Sequence, residues 1–278
     1  MARAARHLKV DATTVGRHIR RLEQALELTL FEQTRAGQVL SAAGEALLSK
    51  AEEMEHFAAT IHDDSVRNRG ISGLVRVSVS EGFGTWFVAR HLGSFLEAYP
   101  DVQVDLVAST GFLSPSKRET DVAVLLARPR RGPLISKKLS DYRLGLYGAD
   151  SYLDRHPPLA EPVDLRSHQL VGYIPDFIYA PELRYLDEIS AGLVLQARSS
   201  SINAQYRLVA SGAGIGVLPC FMGDFSRSLR PVLPEIRITR AFWLVTHQDT
   251  RRLPRIKAFV DWMSATVTTF RSQLMGND

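Results

Sequence analysis

Apolar residues recur at Val15, Ile19, Leu22 and Leu26, spaced i, i+4, i+7 and i+11, which makes one stripe of an amphipathic helix. Asp11 stands before that helix as an N-cap whose carboxylate can accept the free N–H of Thr13 or Thr14. Ala4 to Lys9 reads as a short helix ahead of it, joined by a tight turn. Thr13, Arg17, Arg20 and Arg21 lie off the stripe, so hydroxyls and guanidinium groups share the face turned away from the core. That is the layout of a helix-turn-helix DNA reader, in which arginines meet guanine edges or phosphates. An ordinary surface helix with a solvated basic face fits the same pattern.

From Ala42 to about Arg67 there is no proline, and Leu47, Ala51, Met54, Ala58, Ile61 and Ser65 follow the alternating spacing of a coiled-coil seam, widened by Leu48 and Phe57. A twin of this helix or the body of its own protein could cover that seam. Asn68 to Gly73 then supplies polar and glycine residues that end the helix and form a hinge.

Beyond Gly73 the pattern becomes α/β. Strands are predicted at Leu74–Val79, Val102–Val107, Asp121–Leu126, Tyr142–Tyr147, Leu170–Tyr173, Leu193–Ala197 and Ile215–Leu218. Helices are predicted at Thr85–Tyr99, Ile202–Ser211 and Pro254–Leu274. The continuous apolar run of Asp121–Leu126 suits a strand of a parallel sheet covered on both faces.

Composition narrows the class. A chain of 278 residues with a hydrophobic fraction of 45% can hold two or three compact units with real cores. A single cysteine, Cys220, rules out an internal disulfide and suits a reducing cytoplasm, and its apolar setting points to an inert buried thiol. The N-terminus has no apolar h-region, and no apolar stretch is long enough to span a membrane. Residues 1–40 carry seven Lys/Arg against four Asp/Glu, and residues 41–69 carry three against six. A basic head before an acidic helix suits contact with DNA at the head.

Leu30-Phe31-Glu32-Gln33-Thr34 follows the two helices, and Ser41-Ala42-Ala43-Gly44-Glu45 comes soon after. With Ile19-Arg20-Arg21-Leu22-Glu23, these segments resemble the signature of the LysR-type transcriptional regulators: Ile-x-x-Leu-Glu, Leu-Phe-x-x-Thr, then a wing leading into Thr/Ser-x-Ala-Gly. Ala210-Ser211-Gly212-Ala213-Gly214-Ile215-Gly216-Val217-Leu218-Pro219 resembles a glycine-rich segment of the effector domains of the same family. Two departures stand out. Asp11-Ala12-Thr13-Thr14-Val15-Gly16 replaces the usual Ser-Gln-x-x-Val-Ser, so the two threonines take over base contacts from the missing glutamine. The family's first helix, normally ahead of Ala4, has no counterpart here. Either the natural start lies upstream, or the head lacks one wall and leaves Val15, Ile19 and Leu26 partly uncovered.

The resemblance implies an α/β protein with a truncated N-terminal winged helix-turn-helix at residues 1–41, a linker and dimerisation helix at 42–70, and a two-lobed effector domain like the periplasmic binding proteins at 71–278. Lobe 1 is expected at 71–144 and 245–278, and lobe 2 at 145–244, with crossovers near Tyr142–Tyr147 and Ala241–His247. Thr13, Thr14 and Arg17 are expected nearest the bases, and His18, Arg20, Arg21 and the wing residue Arg35 at phosphates. Expected partners are promoter DNA, a small-molecule effector and further copies of the chain, as a dimer through the linker helix and then a tetramer.

Ser80-Glu81 and Ser199-Ser200-Ser201 each follow a strand and open a helix, where free N–H groups attract anions; serine N-capping alone explains the same residues. Ser109 and Thr110 belong to the same face. An anionic effector suits these loops, although Glu81 in their midst favours a ligand with a donor or a positive charge.

Gly212 to Gly216 is not a nucleotide fingerprint, because the glycines follow a helix and precede a strand. No nucleophile elbow, zinc-protease motif or P-loop is present. The histidines (His7, His18, His56, His62, His91, His156, His168 and His247) do not pair at helical spacing. The chain is therefore read as a regulator that is not an enzyme, with no cofactor and no metal. The alternative is a small-molecule binding protein with a vestigial head that no longer binds DNA.

Overall fold

A computed structural model describes residues 5, 10–34, 37–48, 50, 51, 54, 70–111, 115, 119–129 and 133–276. The chain divides into two compact units, residues 1–67 and 68–278.

In the first unit, helix α1 (Ala12–Leu26) carries the predicted stripe. Val15 and Ile19 are half-buried, whereas Leu22 and Leu26 remain 44% and 42% exposed. Asp11 occupies the N-cap, but its carboxylate makes no capping bond, contrary to expectation. Its backbone carbonyl accepts instead from the N–H groups of Thr14 and Val15. The helix ends at Glu27, which adopts a left-handed conformation.

Strands β1 (Phe31–Thr34) and β2 (Gly37–Leu40) form an antiparallel hairpin in which Thr34 faces Gly37. The Glu23 carboxylate accepts from the N–H groups of Leu30 and Phe31 at 2.7 and 3.2 Å, so the last residue of the Ile-x-x-Leu-Glu motif fixes where the chain enters β1. Ser41 caps the following helical segment: its hydroxyl accepts from Gly44 N–H and donates to the Thr29 carbonyl. A Cβ on Gly44 would lie 2.1 Å from the Leu30 carbonyl oxygen, so this turn of helix can approach the wing only with glycine there. Residues 42–48, 50, 51 and 54 are helical; Phe57, Ala58, Ile61 and Ser65 of the predicted seam lie outside the described residues.

The second unit is built on a nine-stranded mixed sheet. Strands β3 (Gly73–Ser80), β4 (Val102–Ser109) and β5 (Val122–Leu125) are parallel. The chain leaves them along β6 (Leu134–Ala149), a 16-residue strand and far longer than its predicted core at Tyr142–Tyr147. A second parallel group follows: β7 (Leu170–Tyr173), β8 (Ala197–Ser199) and β9 (Ile215–Pro219). After β10 (Leu229–Val232), β11 (Ile238–His247) runs back antiparallel to β6 and then pairs with β5. The C-terminal half of β6 pairs with β9 and β10. The long strands β6 and β11 thus carry the chain between the two parallel groups and back, through the segments where crossovers were expected.

Leu193 and Leu195 do not form the predicted strand; they pack against the core from irregular chain, and β8 begins only at Ala197. After β3 a helical run of Glu81–Phe83, a π turn at Gly84–Val88 and α2 (Ala89–Ala98) replaces the single helix expected from Thr85. Helix α3 (Ile202–Ala210) ends in Gly212, whose φ of +82° closes the helix before β9, as read from sequence. Helix α4 (Pro254–Thr269) buries Ile256, Phe259, Met263 and Val267, and a break at Phe270 separates it from α5 (Arg271–Met275). Among the described residues no helix is long and apolar enough to cross a membrane.

Candidate functional site: an exposed reading helix and a closed cleft

On α1, Thr13, Arg17, His18, Arg20 and Arg21 are exposed and Thr14 is half-buried. Thr13, Arg17, Arg20 and Arg21 follow i, i+4, i+7 and i+8 and so line one face of the helix. No ion pair within the described residues engages Arg17, Arg20 or Arg21. Arg35 lies outside the described residues.

In the second unit the C-terminal ends of both parallel groups converge. Ser80 ends β3, Leu126 follows β5, Tyr173 ends β7 and Pro219 ends β9, and all four line one cavity. Ligands of open α/β sheets bind at this kind of place, beyond the carboxyl ends of the strands where the strand order changes direction. The cavity measures about 30 Å3, room for about one water. Its walls are Phe83, Phe221 and Phe242, together with Tyr142, Tyr173, Tyr179 and Tyr185. Tyr142 stacks on Phe242 with ring centroids 4.1 Å apart, and Phe83 packs on the same phenylalanine at 4.3 Å. Burial pushes the hydroxyls of Tyr142, Tyr173 and Tyr185 well above the usual phenol range and that of Tyr179 up to about 12, so all four are neutral donors at pH 7. The Tyr185 hydroxyl is buried and has no hydrogen-bond partner among the described residues.

Beside the cavity runs a polar seam, through the sequence neighbours of the lining residues Ser80, Gly82 and Ile202. Glu81 Oε1 accepts from the Ser201 hydroxyl at 2.7 Å, and Oε2 accepts from Ile202 N–H at 2.9 Å. Ser201 Oγ in turn accepts from Ala204 N–H, so the start of α3 is satisfied by one serine and one carboxylate of the chain itself. Alongside, the Trp86 indole N–H donates to Asn203 Oδ1 at 2.7 Å, and Asn203 donates to the Thr85 hydroxyl.

The structure therefore brings Ser80 and Glu81 together with Ser199 and Ser201, in different roles. Ser80 lines the cavity; Glu81 and Ser201 form the seam; the Ser199 hydroxyl accepts from Ser201 N–H. Ser200 is half-buried beside them. Ser109 pairs with Ser80 across the sheet and donates to the Gly111 carbonyl, with Thr110 next to it; neither Ser109 nor Thr110 lines the cavity. Sequence reasoning missed the tyrosines. Tyr142 and Tyr173 were read as strand residues, and nothing in the spacing of Tyr142, Tyr173, Tyr179 and Tyr185 links them before the crossover is known. Cys220 is buried, and burial pushes its thiol up, as expected of an inert residue.

Residues 1–45 match the bacterial regulatory helix-turn-helix protein family of lysR type, and residues 68–268 match the LysR substrate binding domain. The HTH-type transcriptional regulator PtxR of Pseudomonas aeruginosa is 27% identical over 267 residues, covering 93% of this chain and 85% of its own length. The Mau operon transcriptional activator of Paracoccus denitrificans is 26% identical over 261 residues, covering 94% and 88%. Among solved structures, CrgA of Neisseria meningitidis superposes with a TM-score of 0.61 at 23% identity, covering 95% of this chain and 92% of that one. Full-length AphB of Vibrio cholerae gives 0.62 at 22% identity, covering 94% and 92%. These relatives are transcriptional regulators rather than enzymes, and the fold is that of a helix-turn-helix head with a two-lobed regulatory domain. With the winged hairpin, the exposed basic helix and the cleft at the strand ends, these matches place the chain in the family of LysR-type transcriptional regulators, DNA-binding proteins with an effector-binding domain.

Proposed function

We propose that α1 is the helix that enters the major groove, with Thr13, Thr14 and Arg17 at base edges and His18, Arg20, Arg21 and Arg35 at phosphates. The observation that carries this reading is the row of Thr13, Arg17, Arg20 and Arg21 on one face, its arginines exposed and without ion pairs among the described residues. Guanidinium groups left free in the unbound protein need not abandon internal partners to meet DNA.

The effector is held in the cleft of the second unit, between the loops of Ser80-Glu81, Ser109-Thr110 and Ser199-Ser200-Ser201, with lobes at 71–144 plus 245–278 and at 145–244. Its binding changes how the lobes close and so biases the DNA-bound arrangement of the assembly. The helix at 42–70 pairs with its twin in a dimer, and dimers join as tetramers. The exposure of Leu48 and of Met54, at 73%, supports that pairing. The protein works in the cytoplasm and catalyses no reaction of its own.

The test is fluorescence anisotropy of the full chain on the duplex upstream of its own gene, at two salt concentrations, for wild type and Arg17→Ala. Loss of about 1–3 kcal/mol on that duplex, with little loss on a random one, is expected of a base contact. A uniform loss with a shallower salt slope would reassign Arg17 to phosphate. A second reading, a ligand-binding protein whose head no longer binds DNA, is favoured by the exposed Leu22 and Leu26. Absence of any salt-dependent DNA binding would put it first.

A further inference from the structure

Among the described residues, fifteen line the cavity at the strand ends, and none of these carries a formal charge. A carboxylate or phosphate lodged there would find no cation in that lining; Arg240, whose charge acts on Tyr142 and Tyr185, is already engaged by the Glu188 carboxylate and the Glu182 carbonyl. The helix N-terminus that could have served an anion, at α3, is already filled by the Glu81 carboxylate. An ammonium group would find no carboxylate in the lining either, because Glu81 spends both oxygens on Ser201 and Ile202 outside it. What the walls offer is flat: Tyr142 stacks on Phe242, Phe83 packs on that same ring tilted by 34°, and offset or tilted packing is the way such rings take up another ring. The polar groups they offer are hydroxyls held neutral. One of these, on Tyr185, is a buried donor without an acceptor among the described residues, the kind of group whose pairing a ligand can supply.

On the reading that this cleft holds the effector, we propose that the effector is an uncharged planar ring compound bearing a hydrogen-bond acceptor, that Tyr185 donates to that acceptor, and that the seam of Glu81 with Ser201 and Ile202 parts to admit it. The present cavity holds about one water, so a ring makes its own room, and Gly82 and Ile202 at its edge belong to the two sides that the seam joins. Binding and opening are then one event, and that supplies the differential affinity through which a ligand shifts a conformational equilibrium.

The test is calorimetric titration of the full chain with acetophenone, a neutral ring with one acceptor, and with benzoate, its anionic counterpart. Wild type is compared with Tyr185→Phe and with Leu183→Trp, which fills the cavity from its edge, each checked for native circular dichroism. The proposal expects acetophenone to bind at least tenfold more tightly than benzoate, Tyr185→Phe to weaken it about tenfold, and Leu183→Trp to abolish it. Tighter binding of benzoate that Leu183→Trp abolishes would overturn the ligand class while leaving the cleft as the effector site. Binding of either probe that survives Leu183→Trp would overturn the cleft reading itself. Acetophenone binding indifferent to Tyr185→Phe, or no binding of either probe, would overturn the proposal. Should Leu183→Trp lose its native spectrum, Leu126→Trp, at another lining residue, serves as the second plug.

Discussion

Glu81 and Ile202 lie 121 residues apart in sequence, yet the Glu81 carboxylate accepts the backbone N–H of Ile202 at 2.9 Å. The bond joins the helical run that follows β3 to the N-terminus of α3, beside the tyrosine-lined cavity. A carboxylate at a helix N-terminus meets both the free N–H groups and the positive end of the dipole, and Ser201 adds a hydroxyl donor at 2.7 Å.

Replacing Glu81 by alanine leaves the Ile202 N–H and the Ser201 hydroxyl without their acceptor. Loss of a helix-capping acceptor costs about 1–2 kcal/mol. For a unit of this size that is a fall in Tm of about 2–8 °C. Glu81→Gln keeps an acceptor and falls less. Differential scanning fluorimetry checks both, and an unchanged Tm in Glu81→Ala would mean that the seam contributes nothing to closure.

Tyr185→Phe has the opposite sign. Its hydroxyl is buried and unpaired among the described residues, so removing it relieves a desolvation cost of about 1 kcal/mol and raises Tm by about 2–4 °C. A protein kept less stable than it could be at this one atom is what a binding site asks of it. A fall in Tm of the same size would show that the hydroxyl has a partner in solution.

Gly44→Ala places a Cβ 2.1 Å from the Leu30 carbonyl oxygen and 2.9 Å from Leu40 Cδ2. The first neighbour is backbone and cannot swing aside, so the helix after the wing must shift, at about 1–3 kcal/mol. DNA affinity measured by gel shift falls, while ligand binding by the second unit is unchanged. Wild-type DNA affinity in this variant would refute the tight approach.

Two histidines set an acid limit. Burial lowers the pKa of His91, whose ring stacks on Phe270 with centroids 4.1 Å apart. Burial, and then the neighbouring His156, lower that of His168. With folded values below the ordinary 6.5, the native state binds fewer protons than the unfolded state as pH drops beneath it. The stability these groups contribute is therefore complete above about pH 6.5 and is lost as pH falls through their folded values. Urea midpoints at pH 7.5 and 5.5 should show that loss, and His91→Phe, which keeps the stack without the charge, should shrink it.

Much of this was legible in the chain. The stripe of Val15 and Ile19 located α1, the alternation of Val75, Val77 and Val79 located β3, and the apolar runs of β5 and β7 located further strands of the two parallel groups, because burial on both faces imposes continuous hydrophobicity. The first half of β6 was hidden: Lys137 and Lys138 are exposed in a strand whose partner, β11, lies more than 90 residues on. The seam was half visible. Ser201 and Glu81 were both flagged at helix starts, but sequence cannot say that one caps the helix of the other. The tyrosine cage was invisible, since Tyr142, Tyr173, Tyr179 and Tyr185 come from separate segments that meet only after the chain has crossed between the two parallel groups.

The most direct test of the account is the ratio of affinities for the promoter duplex and a random duplex at one salt concentration. It is measured by anisotropy for the wild-type chain and for Thr13→Ala/Thr14→Ala/Arg17→Ala together. The account predicts a wild-type preference of about 10³-fold or more, and a triple variant that still binds both duplexes with that preference collapsed. A wild-type ratio near one, or a triple variant that keeps the wild-type ratio, would contradict the assignment of α1 as the reading helix.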